Sequence, residues 1–234
     1  TKSALKTFVD SLTPADTFAI QTYSSRGTDA LWGFGFATLE EKPDANNFIN
    51  DLERGSTWRN THEALIEGLL RFSKKSIQDR IDDSVNILVV FSHGYASRGK
   101  TDPGEIIQDV YKRNRDGKVK IYTVGRSRSA DMSFLSALST MNGGVSSSIN
   151  EGDDNLDQIE FFLNSELGEV LLSDVQAIPT TGVPLASQSE YPVLADGYEM
   201  VVRGLVDSDI GLEGITTSAA AVDGRSNWNA QVVP

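Results

Sequence analysis

His62 and His93 are the only imidazoles in a chain that has no cysteine, and this limits the chemistry its side chains can do. Without cysteine there are no thiolate nucleophiles, thiolate metal sites or disulfides. Nucleophilic catalysis by Ser or Thr needs a His base and an acid to orient it. Ser92 and His93 are adjacent, but neighbours at the end of an extended run point to opposite sides, so they do not form a triad. The chain contains no Gly-x-Ser-x-Gly turn, and His62 opens a helical segment where it reads as a surface residue. Gly125-Arg126-Ser127-Arg128-Ser129 lacks the spacing and the lysine of a phosphate loop and reads as a strand-to-helix connection. The acidic stretch Glu151 to Asp157 does not have EF-hand spacing. It fits helix-start acids that complement the dipole, with weak surface Ca²⁺ binding left open. No assembly of nucleophile, acid and base is visible, and the expectation is a chain that is not an enzyme.

The charge balance narrows the partners. With 21 basic and 33 acidic residues, the chain carries -12 at neutral pH. Such a surface repels nucleic-acid phosphates, anionic lipid and sulfated polysaccharide, and favours divalent cations or basic partners. A hydrophobic content of 39% over 234 residues is enough for a core that needs no metal or disulfide. No apolar run approaches the roughly 20 residues that span a bilayer. There is no Asn-x-Ser/Thr glycosylation site, and the opening Thr1-Lys2-Ser3-Ala4-Leu5 has neither an initiator Met nor a signal-peptide layout. That opening reads as the middle of a helix, so a processed or incomplete chain is expected.

The elements follow from periodicity. Ala4, Leu5, Phe8, Val9 and Leu12 recur at helical spacing up to Thr13-Pro14. Phe18 to Tyr23 and Leu31 to Phe36 are β-prone, and Trp32 and Phe34 on the second run are assigned to packing. Phe48 and Leu52, then Ala64, Leu65, Leu69 and Phe72, mark two more helices. Val85 to Phe91 is almost unbroken apolar sequence, which predicts a parallel strand covered on both faces. A helix from Pro103 to about Arg115, a strand from Val119 to Gly125 and a helix from Met132 to Met141 follow. Asn142-Gly143-Gly144 caps that helix, and Val145–Ile149 and Asn155–Leu167 complete an alternating α/β pattern. After about Glu169 helical periodicity stops. Short β-type runs at 170–172, 175–178, 200–202 and 216–222, broken by Gly and Pro, predict a small sandwich or part of one.

Leu12 to Phe18, Asn86 to Gly94, Ile121 to Gly125, and Phe134 to Leu138 leading into Asn142-Gly143-Gly144 occur in an order that resembles the von Willebrand factor type A fold. Asp196 to Leu205 is similar to the segment that follows this domain in inter-alpha-trypsin inhibitor heavy chains. The resemblance implies a doubly wound, mostly parallel sheet lacking its first strand in this chain, over residues 1–168. A β-rich, hybrid or sandwich-like segment follows over 169–234. It also implies an extracellular, secreted setting and partners bound at the top of the sheet through a coordinated Mg²⁺ or Ca²⁺. The family's first metal loop, Asp-x-Ser-x-Ser, is absent. At the second loop an ungapped match puts Arg59 at the family's Thr, and a two-residue shift would restore Thr57. At the third, His93 stands where an Asp is expected. An imidazole removes negative charge and offers nitrogen to an ion that prefers oxygen.

No metal is therefore assigned, and Mg²⁺ or Ca²⁺ would need an upstream segment to complete the site. Thr57, Trp58, Arg59, Ser92 and His93 remain as candidate partner contacts in the top loops, with Trp58 as an anchor. The expected function is a non-enzymatic structural or interaction module in a matrix, secretion or coat. The alternative is a metal-dependent adhesion protein, or one associated with matrix glycosaminoglycan, whose first metal loop lies upstream. The heavy chains' Asp-Pro-His, through which they join glycosaminoglycan covalently, does not occur here. An unpaired central strand position would leave buried ladder groups without partners, so a second chain or N-terminal segment is expected to supply that strand.

Overall fold

The computed structural model describes residues 2–12, 16–36, 41–52, 58–72, 85–115, 119–149, 155–166, 170–179, 190–195 and 215–221. These form six helices and eight strands in chain order. α1 spans Lys2–Ser11, β1 Thr17–Ser24, β2 Gly27–Phe36, α2 Glu41–Asp51 and α3 Thr61–Phe72. β3 spans Asn86–Ser92, α4 Pro103–Arg113, β4 Val119–Arg126, α5 Met132–Met141, β5 Ser146–Ile149 and α6 Asn155–Glu166. β6 (Val170–Pro179), β7 (Glu190–Ala195) and β8 (Ile215–Ala221) follow. The chain divides into two compact units, Thr1–Gln78 with Asn86–Glu166, and Asp79–Val85 with Leu167–Pro234.

In the first unit β3, β4 and β5 form a parallel sheet in that order, while β1 and β2 pair separately as an antiparallel hairpin. The main core lies where Leu65 and Leu69 of α3, Ile106 and Val110 of α4, and Phe134, Leu135 and Leu138 of α5 meet Val90, Val119 and Ile121 of the sheet. Val9 of α1, Ile20 of β1, and Ala45 and Ile49 of α2 make a second cluster. Trp32 stacks on Phe18 beside it at 4.7 Å, the packing role expected of that tryptophan. The side chain of Phe34 lies outside the described residues. Helices packed around a parallel sheet give the expected α/β class.

Several boundaries differ in an informative way. α4 stops at Arg113 because Asn114 caps it, its amide donating to the Val110 carbonyl oxygen. β4 is buried along nearly its whole length. β3, expected to be covered on both faces, is not: Asn86, Val90 and Ser92 are buried, whereas Ile87, Leu88, Val89 and Phe91 are half-buried. The reason is positional. β3 bonds β4 along one edge, and among the described residues no strand pairs with its other edge. His62, expected at the surface, keeps 19% of its side-chain exposure and lies 3.1 Å from Asp109.

In the second unit β6 is the central strand of an antiparallel sheet ordered β7-β6-β8. The runs expected at 170–172 and 175–178 are one strand whose pairing register shifts at bulges. β7 was not anticipated, because Pro192 interrupts Tyr191 and Val193. An edge strand tolerates a proline, which takes no donor from the ladder. The run at 200–202 lies outside the described residues.

Candidate functional site

Three connections gather at the C-terminal edge of the parallel sheet: residues 58–60 before α3, 93–102 between β3 and α4, and 127–131 between β4 and α5. They are fastened by backbone and side-chain hydrogen bonds. The Asn60 amide donates to the Ser24 carbonyl oxygen at the end of β1 (2.7 Å), and Asn60 Oδ1 accepts from the Glu63 amide (3.3 Å). The Ser97 and Arg98 amides both donate to the Arg59 carbonyl oxygen, at 2.9 and 3.1 Å. The Arg59 amide donates to Ser97 Oγ at 2.8 Å. The Asp131 amide donates to the His93 carbonyl oxygen (2.8 Å), and the Tyr95 hydroxyl donates to the Ser129 carbonyl oxygen (2.8 Å).

Two glycines permit this approach. Gly94 has φ +83, and a Cβ there would lie 2.9 Å from both the Cβ and the carbonyl oxygen of Asp131. Gly99, at φ +66, packs directly on the Asn60 side chain. Ser127 has φ 98, the one positive value at a non-glycine residue among the described residues. It is held there by two hydrogen bonds: the Ser127 amide donates to the Ile149 carbonyl oxygen (3.0 Å), and the Ala130 amide donates to the Ser127 carbonyl oxygen (3.1 Å).

The side chains divide into those that position and those that are presented. Ser92 is 3% exposed; its Oγ accepts from the Tyr23 hydroxyl (2.9 Å) and the Gly94 amide (3.0 Å), so it shapes the loop. His93 and Arg59 are half-buried. Trp58 is 49% exposed and carries the Arg98 guanidinium 4.2 Å from its ring centroid, a cation–π stack. Tyr95, in the same loop as Arg98, is 51% exposed. Thr57 lies outside the described residues. Arg98 and Tyr95 were not foreseen as part of this edge. Arg98 meets Trp58 from 40 positions away in sequence, and no local pattern announces such a pair.

A second polar cluster anchors the middle loop. Lys100 Nζ donates to Asp109 Oδ2 at 2.5 Å and lies 3.8 Å from Glu105, while His62 Nε2 approaches the same Asp109 oxygen. The hydrogen bond from Lys100 holds the Asp109 carboxyl below its usual range, and the same bond raises Lys100.

A hard dication asks for about six oxygen ligands. Asp102 and Asp131, the carboxylates of these loops, accept from the Glu105 and Phe134 amides as helix N-caps. The Ser92 hydroxyl is engaged by Tyr23 and Gly94. Among the described residues no group of three or more His, Cys, Asp or Glu could hold a metal ion. These residues by themselves do not fit a Mg²⁺ or Ca²⁺ site.

The von Willebrand factor type A domain profile matches residues 1–162. The chain belongs to the von Willebrand factor type A domain family. It is similar to human inter-alpha-trypsin inhibitor heavy chain H4, with 24% identity over 222 residues and 94% of this chain covered. It is also similar to heavy chain H3 of Bos taurus, with 29% identity over 197 residues and 82% covered. It spans 23% and 21% of those relatives' lengths. Among solved structures, a type A protein from Catenulispora acidiphila matches with TM-score 0.62 and 14% identity, over 98% of this chain and 50% of that one. Proximal thread matrix protein 1 from the mussel byssus matches with TM-score 0.56 and 18% identity, over 74% of this chain and 43% of that one. These likenesses carry the type A fold, and with it a protein-interaction module.

Proposed function

We propose that this type A domain is a non-enzymatic, extracellular interaction module that contacts its protein partner through the C-terminal-edge loops without a metal ion. The observation that carries the reading is Trp58, half exposed and stacked by Arg98, on an edge whose three loops are fastened together. Exposed, braced aromatic–arginine pairs are the side chains that anchor interfaces. Thr57 and Arg59 flank the anchor in sequence, His93 opens the β3–α4 loop, and Ser92 shapes the turn into that loop through Tyr23 and Gly94. The metal site of the family is read as degenerate on the engaged donors described above. Residues 1–168 act as the interaction domain, with 169–234 as a β-rich companion.

Among the described residues no strand pairs the second edge of β1 or of β3, which supports a further part of the reading: a strand from a second chain or an N-terminal segment lies between them. A photo-crosslinking residue at Trp58 tests the interaction edge in the native extracellular material, with one at the exposed Val145, before β5, as the control. Discrete protein adducts from position 58 and none from 145 are expected. Equal labelling from both positions would defeat the assignment.

A further inference from the structure

Charge is divided unevenly along this chain. Residues 167–234 hold nine carboxylates against two cations, Arg203 and Arg225, and so carry more than half of the chain's -12. Residues 111–120, at the end of α4 and the start of β4, have the opposite sign. There Lys112, Arg113, Arg115, Lys118 and Lys120 face one carboxylate in sequence, Asp116. The adjoining connections do not offset this excess. Residues 142–145, between α5 and β5, hold no charge, and 73–78, after α3, add Lys74 and Lys75. Asp79, Asp82 and Asp83, before β3, belong with the acidic second unit. The topology brings three further carboxylates to this edge on other elements: Asp16 before β1, Glu40 after β2 and Glu166 at the end of α6. Lys112 and Arg113 are exposed, and among the described residues neither has an ion-pair partner. Tyr111, next to them in sequence, is 47% exposed. Asn114, buried and bonded to Val119 and Asn142, fixes the backbone between Arg113 and Arg115. Cations in a last helical turn complement the helix dipole, which accounts for Lys112 and Arg113. It does not account for Lys118 and Lys120 beyond the helix, or for an exposed tyrosine among them.

We infer that the end of α4 is an interface between copies of this chain, where its cations and Tyr111 receive the acidic residues 167–234 of a second copy. The excess charge of each surface is met by the other, and every copy carries both. The cations select and steer an acidic partner, and the tyrosine supplies the apolar contact. Because the two surfaces differ, the contact is heterologous. A docked copy keeps one surface of each kind free, and association continues as an open row. A long polyanion would meet the same cations but would be repelled by the acidic unit that each copy carries. The contact is confined to the end of α4. It leaves Val145, before β5, outside it and the C-terminal-edge loops open to the partner proposed above.

The test mixes equal amounts of unlabelled and heavy-isotope-labelled full chain at low salt. A carbodiimide then joins lysine amines to carboxylates in contact, and the digest is read by mass spectrometry. The expected products join Lys112 or Lys118 to carboxylates of residues 167–234, with roughly half of them mixed in isotope, and vanish above about 0.5 M salt. Sedimentation velocity should show a concentration-dependent series of oligomers at low salt. Lys112→Ser with Arg113→Ser should weaken that association about tenfold or more, the scale of one lost anchor. Arg126→Ser with Arg128→Ser, at the opposite edge, should leave it unchanged. Circular dichroism confirms that each variant is folded. A monomer at every salt concentration, or cross-links within one isotope only, would overturn the inference. So would a closed dimer whose cross-links avoid residues 167–234, or equal loss in both variants. A heparin octasaccharide that binds through Lys112 and Arg113 more tightly than the chain binds itself would assign the surface to a sulfated polysaccharide instead.

Discussion

Asn114 shows how much one polar side chain can hold at the opposite end of the sheet. It is buried; its Nδ2 donates to the Val119 carbonyl oxygen (2.7 Å) and to Asn142 Oδ1 (3.0 Å), and its Oδ1 accepts from the Val119 amide (3.2 Å). It therefore closes the end of α4 onto the start of β4 and joins both to the cap of α5. Asn114→Ala leaves buried backbone groups without partners and should cost about 2–3 kcal/mol, measured by urea unfolding. Gly144 makes a complementary demand. A Cβ there would collide with the Ile121 carbonyl group and the Tyr122 ring, and the backbone on one side cannot give way. Gly144→Ala should destabilise by about 1–3 kcal/mol, visible as a lowered midpoint in the same experiment.

The β3–α4 connection is an element whose stability depends on charge. The depressed Asp109 contributes stability that is present above its unfolded pKa, about 3.9, and lost as pH falls through the lower folded value. The raised Lys100 contributes stability that is present below its unfolded pKa, about 10.4, and lost as pH rises through the higher folded value. Between those limits the pair is fully formed. Lys100→Met should therefore lower the melting temperature by a constant amount across neutral pH, and its curve should meet that of the unaltered chain in strong acid. A difference that stayed constant into strong acid would show that the lysine acts through its alkyl stem. Neighbouring elements explain why this loop matters: it brings Arg98 to Trp58 and Tyr95 to Ser129.

At the scale of the whole first unit, the arrangement of β1 and β3 is the feature on which the proposed strand-supplying partner rests. The Ser24–Asn60 and Arg59–Ser97 bonds bring the ends of both strands to the same edge, and the Tyr23 hydroxyl of β1 donates to Ser92 Oγ of β3. Amide exchange on the 234-residue chain should show β1 and β3 far less protected than β4. Adding the partner chain or N-terminal segment should protect both edges together. Strong protection of β3 in the isolated chain, with stable monomeric behaviour in sedimentation, would remove the need for such a strand.

Much of the fold was legible because helices and strands are encoded locally. The spacing of Leu65 and Leu69, the proline at the start of α4, the apolar run of β3 and the Asn142-Gly143 cap each act within a few residues. Trp58 stood out for the same reason, as an aromatic in a loop. Tertiary structure alone decided that β3 has no strand on its second edge among the described residues, that His62 meets Asp109, and that β7 survives its proline by lying at a sheet margin. It also decided that Arg98 stacks on Trp58 and that Ser127 takes a left-handed backbone between two arginines. Those facts depend on which distant segments become neighbours, and a one-dimensional pattern of apolar and polar residues carries no record of that.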